Sequence, residues 1–160
     1  MKISINTQAY DEAIKFFRDY AKDLEKKERM LLERLAFMGA TRVSLGFSRA
    51  IIEGENDVKV TVDVKQNKAV IIAQGEQVCF IEFGAGIRYG EGYLGNKPEG
   101  IVGIGEYGKG KGKNPKGWWY TGNDGSSHHT YGNPPNMPLY NASVELAEQI
   151  GEIAREVFKW

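Results

Sequence analysis

The ten residues V78-C-F-I-E-F-G-A-G-I87 combine an apolar run, one carboxylate and two glycines. The apolar side chains are suited to burial, but Glu82 among them must face solvent or find a partner, because an unpaired buried carboxylate is very costly. Gly84 and Gly86 permit positive φ, so the chain can turn sharply directly after the apolar run. The stretch is therefore interpreted as the base of the loop that follows it. Its first six residues are compatible with a strand or with a helical turn.

The composition changes directly after this stretch. Fifteen of the twenty glycines lie between Gly84 and Gly132, and all five prolines lie between Pro98 and Pro138. A structureless loop of that length is unusual inside a compact domain, so residues 84–137 are predicted to be a functional excursion or a segment ordered by a partner. Aromatic side chains, which make good contacts in such loops, are spaced through it. They are Tyr89, Tyr93, Tyr107, Trp118, Trp119, Tyr120 and Tyr131.

Before the loop base, an apolar stripe predicts a long amphipathic helix. It begins near Asn6 or Thr7, stops at Gly39, and at 1.5 Å per residue is roughly 45 Å long. Further apolar residues beside the stripe widen the apolar face of the helix, which favours packing on a sheet and on a neighbouring element. The alternative is the narrow seam of a two-helix coiled coil. The stripe, interrupted once by Glu28, consists of Tyr10, Ile14, Phe17, Ala21, Leu24, Leu31, Leu35 and Met38.

The remaining periodic segments complete an α+β fold. Residues 39–50 are interpreted as a short second helix or turn. Valines alternate with polar residues from Val58 to Lys65, and Ala69 to Ala73 follows a short turn, which predicts a β-hairpin or small antiparallel sheet. A helical stripe runs from Leu139 to Phe158, with Asn136 as the predicted cap and Pro138 in the first turn. We therefore predict one domain over residues 1–160: a long N-terminal helix, the hairpin, the long Gly-rich loop and a C-terminal helix.

Charge and cysteine content restrict the partners. Lys plus Arg and Asp plus Glu number 21 each, so the net charge does not call for DNA or an anionic membrane surface. No stretch approaches the roughly 20 apolar residues of a membrane span, and the N-terminus has no signal-peptide core. Cys79 is the single cysteine, so no disulfide can form within the chain, and synthesis in a reducing cytoplasm is expected.

Three local patterns suggest ligand chemistry. Residues 103–108, GIGEYG, match a dinucleotide loop, but lysines and glycines follow where a helix is needed. Lys109, Lys111, Lys113 and Lys116, next to the two tryptophans, resemble a nucleic-acid contact, although a solvated loop is the simpler interpretation. His128 and His129 point to opposite sides of an extended chain, and with Glu82 they form only an incomplete hydrolytic set. Glu82 is better interpreted as an acceptor of N–H groups from the glycine turn or as a partner of a neighbour's arginine.

Two motifs, in this order of elements, resemble bacteriophage tail-component proteins of the head-to-tail joining region, often called tail-completion or minor tail proteins. That family has a helical N-terminus, a hairpin, a hydrophobic stretch ending in Glu-Phe-Gly-Thr-Gly, a variable loop and a proline-containing approach to a C-terminal helix. The motifs here are FIEFGAG at 80–86 and GNPPNMPLY at 132–140. Ala85 stands where threonine is common, and the histidine and phenylalanine often found near the final prolines are absent.

The resemblance implies a structural protein of the phage or prophage virion, made in the bacterial cytoplasm and placed in the tail or neck. It would join copies of itself, in a ring, and other tail or connector proteins, without catalysis, cofactor or metal. The expected loop anchor is Phe80, Glu82, Phe83, Gly84 and Gly86. The expected subunit or partner contacts are Trp118, Trp119, Tyr120, Tyr131 and Pro138. The alternatives are a nucleic-acid-binding module using the lysine and tryptophan loop, and a metal-dependent hydrolase using Glu82, His128 and His129.

Overall fold

A computed structural model describes most of the chain and has the α+β architecture that the periodicities predict. The described residues are 7–52, 54–65, 67–86, 94–96, 115–122 and 124–159. The elements are α1 (Thr7–Ser48), β1 (Lys59–Lys65), β2 (Lys68–Gln74), α2 (Val78–Phe83), β3 (Trp118–Thr121), β4 (Ser127–Thr130) and α3 (Pro138–Val157). β1 and β2 form one antiparallel hairpin, and β3 and β4 form a second one within the Gly-rich excursion.

The helix α1 is longer than predicted and does not stop at Gly39. Its 42 residues continue to Ser48, so the expected second helix or turn at 39–50 is wrong for most of that range. Gly39 is present for packing: a Cβ there would lie 2.5 Å from Cδ1 of Ile71 and 2.7 Å from Cδ1 of Leu146. A glycine inside a helix costs about 1 kcal/mol relative to alanine. Here it lets the hairpin and α3 approach the helix backbone.

The core lies between the C-terminal part of α1, the first hairpin, α2 and α3. Val43, Phe47, Ile81 and Ala142 are buried there, and residues from both β1 and β2 pack against them. The predicted pattern of one buried face holds only at the start of β1, where Val60 packs against the core, because Val62 and Val64 further along the strand are each 38% exposed. The first hairpin packs on α1, which gives it the support that two isolated strands need in water.

The helices α1 and α3 run antiparallel and are joined by polar side chains along their length. Arg34 pairs with Glu156 at 2.5 Å, and Arg42 contacts both Glu145 and Gln149. The apolar stripe of α3 faces α1 with Ile153 buried near one end. Because the partner of Glu156 is Arg34, α3 covers α1 only from about that level to its C-terminus.

The start of α3 differs from the predicted cap. Met137, with φ 57°, occupies the cap position and makes no side-chain cap bond. The Asn136 side chain instead ties the end of α1 to this segment, accepting from Ile51 N at 2.9 Å and donating to Ile51 O at 3.2 Å.

Candidate functional site

Glu82 joins the two motif segments. The stretch Val78–Phe83 is helical, and Glu82 in it is only 2% exposed. Its two carboxylate oxygens accept hydrogen bonds from the backbone N–H groups of Leu139, at 2.8 Å, and Tyr140, at 3.1 Å. These are N–H groups of the first turn of α3, which have no acceptor within their own helix and attract negative charge. Glu82 therefore caps α3, and the donors come from that helix rather than from the glycine turn.

Backbone hydrogen bonds reinforce the same junction. Asn136 N donates to Ile81 O at 2.9 Å, and Met137 N donates to Glu82 O at 3.3 Å. Ala85 N donates to Asn133 O at 2.8 Å. Segments that are about fifty positions apart in the chain are thus hydrogen-bonded over several consecutive residues, and we call this unit, residues 81–86 with 132–140, the motif junction.

The glycines of the loop anchor occupy positions that no other residue would fit. Gly84 has φ +80°, and a Cβ there would lie 2.7 Å from Asn133 O and 2.8 Å from Pro135 N. Gly86 has φ +66° and abuts the Trp118 ring, whose nearest carbons would be 2.6 Å from its Cβ. Positive φ together with backbone contact makes any side chain at either position strained. Phe83 is buried and Phe80 partly buried beside them.

An aromatic surface lies on the second hairpin next to the junction. Trp119 is 64% exposed and Tyr131 is 47% exposed. The ring of His129 lies between them, edge-on to Trp119 at 5.1 Å and to Tyr131 at 4.9 Å between centroids. We call Trp119, His129 and Tyr131 the aromatic face.

The other expected contact residues are placed differently. Trp118 is partly buried on the junction, and Tyr120 stacks on His128 at 5.4 Å on the opposite side of the strand from Trp119. Pro138 is buried against α1, where a Cβ on Gly46 would lie 2.7 Å from the Pro138 Cβ. Pro138 therefore contributes to the core of the chain and does not lie on the surface where a partner contact was expected.

Ser126, His128 and Asp124 meet in the turn between β3 and β4, a grouping that the sequence analysis missed. Ser126 Oγ lies 2.5 Å from His128 Nε2 and donates to Asp124 Oδ1 at 2.6 Å. Asp124 Oδ1 lies 3.7 Å from that same Nε2. In a hydrolytic triad the carboxylate binds one nitrogen of the imidazole and the serine donates to the other nitrogen. Here Asp124 and Ser126 both approach Nε2 of His128, and Ser126 donates to Asp124, so the cluster does not have the geometry of a triad. It stabilises an exposed turn, and the D-x-S-x-H spacing in the sequence could have indicated it.

An acidic cleft of about 440 Å³ borders this turn. Glu55, Asp57, Glu76 and Asp124 line it together with His128. The carboxylate of Asp57 is held by the turn that precedes α2, since it accepts from Glu76 N at 2.6 Å and from Gln77 N at 3.0 Å. The hydrogen bonds from Glu76 and then Gln77 hold the pKa of Asp57 below its usual value. Those from Ser126 do the same for the pKa of Asp124.

The residues expected for metal-dependent hydrolysis are not gathered in this cleft. Glu82 is not among its lining residues, and its carboxylate is used at the N-terminus of α3. His128 and His129 are neighbours on β4 with different contacts. Within the described ranges, no group of three or more His, Cys, Asp or Glu side chains is arranged to hold a metal ion.

Several predicted features lie outside the described residues. These are the GIGEYG segment at 103–108, Lys109, Lys111 and Lys113, and Tyr89, Tyr93 and Tyr107. In the part of the chain that is described, no helix has both the length and the apolar content that crossing a membrane requires.

Comparison with known proteins returns no match: no family model, no curated protein and no solved structure is similar to this chain.

Proposed function

We propose that this chain is a structural virion-assembly protein of a phage or prophage, a tail-completion or minor tail component at the head-tail joining region. It is made in the host cytoplasm and incorporated into the tail or neck. Its role is to contact further copies of itself and other tail or connector proteins, without catalysis.

The observation that carries the proposal is the motif junction. The two short motifs on which the family resemblance depends are distant in sequence, yet Glu82 and three backbone hydrogen bonds hold them together. If the two motifs act together, they should be adjacent in the fold, and these hydrogen bonds make them adjacent. The junction closes the base of the excursion and fixes where β3 and β4 leave the core.

The junction also supports a contact role for the aromatic face. Trp118 packs on Gly86, so the hairpin that carries Trp119 and Tyr131 is held against the core. Large rings that are already held in place lose little freedom on binding, which favours contact with a partner. A ring of subunits needs two unlike surfaces that meet between neighbours. The aromatic face and the exposed part of α1 are two such surfaces.

The proposal is tested in the phage or prophage that encodes the chain. Deleting its gene should leave filled heads and separate tails in electron micrographs, with infectious particles lost. Wild-type protein supplied from a plasmid should restore joined particles, and a Trp119→Ala, Tyr131→Ala double variant should not. The matched control is the double variant Val144→Ala, Ile150→Ala, which should restore joined particles, because both residues are exposed apolar side chains of α3 and belong to neither proposed contact surface. Normal particles after deletion would refute the proposal.

A second candidate function is nucleic-acid binding, which the exposed ring of Trp119 favours because a base could stack on it. This candidate predicts binding of single-stranded DNA that weakens steeply with salt and with the combined change of Lys109, Lys111 and Lys113 to alanine. Binding that is absent at low salt would eliminate it.

A further inference from the structure

The outer edge of β1 is open among the described residues. β1 pairs there with β2 alone, so its other edge carries backbone groups with no strand beside them. Two residues separate Lys65 from Lys68, and a hairpin loop of that length is closed by a hydrogen-bonded pair. Because such pairs alternate along an antiparallel ladder, the N–H and C=O groups of Val60, Val62 and Val64 point to the open edge. An edge of this kind is a template for another strand.

The charges along β1 fit a second copy of the same strand. If Thr61 of one copy lies opposite Thr61 of the other in antiparallel pairing, Lys59 lies opposite Asp63, and symmetry repeats that pair. The backbone groups of Val60 then meet those of Val62, and each such pair exchanges both of its N–H···O bonds. Lys59 and Asp63 fall in the non-hydrogen-bonded pairs, in which opposite side chains lie closest.

The same charges disfavour the neighbouring registers. Moving the second strand by two residues in one direction places Lys59 opposite Lys65, and moving it by two in the other places Asp63 opposite Asp57. Like charges directly opposite each other destabilise a sheet. A move by one residue brings the valine face of one strand to the polar face of the other. Asp63 also contacts Lys65 of its own chain at 3.3 Å, but an ion pair this exposed contributes little.

A cleft beside the open edge fits a valine of the second copy. The cleft has a volume of about 340 Å³, and its lining includes Phe47, Val58 and Val60. The proposed register places Val64 of the second copy opposite Val58, on the strand face that packs on α1. Val64 is 38% exposed in the single chain. The pairing therefore covers an exposed apolar side chain at the mouth of an apolar cleft, which is favourable.

The flank of α1 beside this edge carries an exposed aromatic residue. Ser44 lines the cleft, and Phe37, seven residues earlier, lies about two turns away on the same face of the helix. Phe37 is 74% exposed. Gly39 lies against Ile71, the partner of Val62 in the hairpin, so Phe37 is close to the level of the symmetry axis at Thr61.

The spacing of the elements allows the two copies of α1 to pack side by side. α1 packs on both strands of the first hairpin. Neighbouring strands lie about 4.8 Å apart, so joining two hairpins edge to edge places their centres, and the helices on them, roughly 10 Å apart. This is the separation of packed helices, about 8–10 Å. Phe37 of each copy is then covered by α1 of the other.

We propose that β1 pairs antiparallel with β1 of a second copy about Thr61, forming one continuous sheet with both copies of α1 on the same face. This inference deepens the assembly function and rests on it in taking another copy as the partner. The contact uses the same surface on both copies, so by itself it makes dimers and not rings.

The test is the mass of the purified full chain, measured by sedimentation and light scattering over a series of micromolar concentrations. The wild type should be in monomer–dimer equilibrium. Val62→Pro removes an N–H group that points to the open edge, so it should abolish the dimer and leave the pairing of β1 with β2 intact. Ala69→Pro is the matched control, because its N–H points to the opposite edge of the same hairpin and the dimer should persist. Circular dichroism should show the wild-type fold for both variants.

Charge reversal tests the register without changing the backbone, and it decides the question if proline disturbs the fold. Lys59→Asp or Asp63→Lys alone turns both symmetric attractions into repulsions, so the dissociation constant should rise about tenfold. The double variant K59D/D63K should return it close to the wild-type value. The matched control is Glu148→Lys, a charge reversal at an exposed position of α3, which should leave the dissociation constant unchanged.

Three results would overturn the inference. They are a wild type that is monomeric at every concentration, a dimer that a folded Val62→Pro variant still forms, and a dimer in which the double reversal is no tighter than either single one. None of these would touch the assembly function, which is judged by particle formation and by the aromatic face.

Discussion

Replacing Glu82 by glutamine should destabilise the protein far more than its small chemical change suggests. The substitution keeps the shape of the side chain but removes its charge and exchanges one acceptor oxygen for an NH₂ donor. Both oxygens of Glu82 now accept an N–H group of α3, from Leu139 and Tyr140. Glutamine can accept only one of them, and its NH₂ group would face the other N–H.

Two effects contribute to the magnitude. A buried N–H without an acceptor costs about 1–3 kcal/mol. The lost attraction between a carboxylate and a helix N-terminus adds roughly 0.5–2 kcal/mol, toward the upper end where the site is shielded from water. Glu82 is 2% exposed, so screening by solvent is weak. We expect the free energy of unfolding to fall by about 2–4 kcal/mol.

The assay is urea unfolding followed by circular dichroism at neutral pH, and the free energy comes from the midpoint and slope. Glu148→Gln is the control, because Glu148 is an exposed residue of α3 and the same change there should stay within about 0.5 kcal/mol. If Glu82→Gln is no more destabilising than Glu148→Gln, the capping role assigned to Glu82 is wrong.

Two further predictions use glycine and aspartate positions. At Gly39, overpacking against Ile71 and Leu146 costs the alanine variant about 1–3 kcal/mol and the better helix propensity of alanine returns about 1 kcal/mol, so Gly39→Ala should lower the free energy of unfolding by up to about 2 kcal/mol. Gly151→Ala, whose Cβ meets nothing nearer than 3.8 Å, should raise it by up to about 1 kcal/mol in the same urea assay. A rise for both variants would contradict the packing at Gly39. Because the pKa of Asp57 is lowered in the folded state from 3.8, its stabilising effect is present above that value and is lost as the pH falls through the folded pKa. The difference in urea midpoint between wild type and Asp57→Asn should therefore be seen at neutral pH and shrink in acid. A difference independent of pH would exclude the hydrogen bonds from Glu76 N and Gln77 N as its source.

The elements that local patterns define were predictable. The alternation in β1 and the helical stripes of α1 and α3 arise from burial of one face of each element, so their periods are visible in the sequence. The first hairpin and the C-terminal helix are accordingly confirmed within a residue or two. The prediction that α1 ends at Gly39 was wrong, because a glycine that ends a helix and a glycine that makes room for a packed neighbour look the same in sequence. Only the contacts with Ile71 and Leu146 distinguish the two cases.

The candidate site was less predictable than the fold. That Glu82 needs a partner followed from its apolar neighbours, but which N–H groups it meets depends on where α3 begins in space. Likewise, the local sequence does not show that Trp119 is exposed and that Trp118 packs on Gly86. The two side chains differ because they lie on opposite sides of β3, and the sequence analysis did not predict the pairing of β3 with β4.

The sequence by itself determined the α+β class, the long amphipathic helix with its apolar stripe, the first hairpin, and the need of Glu82 for a partner, because each follows from interactions between residues close in the chain. Tertiary structure alone decided that α1 continues through Gly39, that Glu82 caps α3, that the two motifs form one junction, and that α3 covers α1 only from about Arg34 onward. These depend on contacts between residues far apart in the chain, and such contacts leave no local period in the sequence.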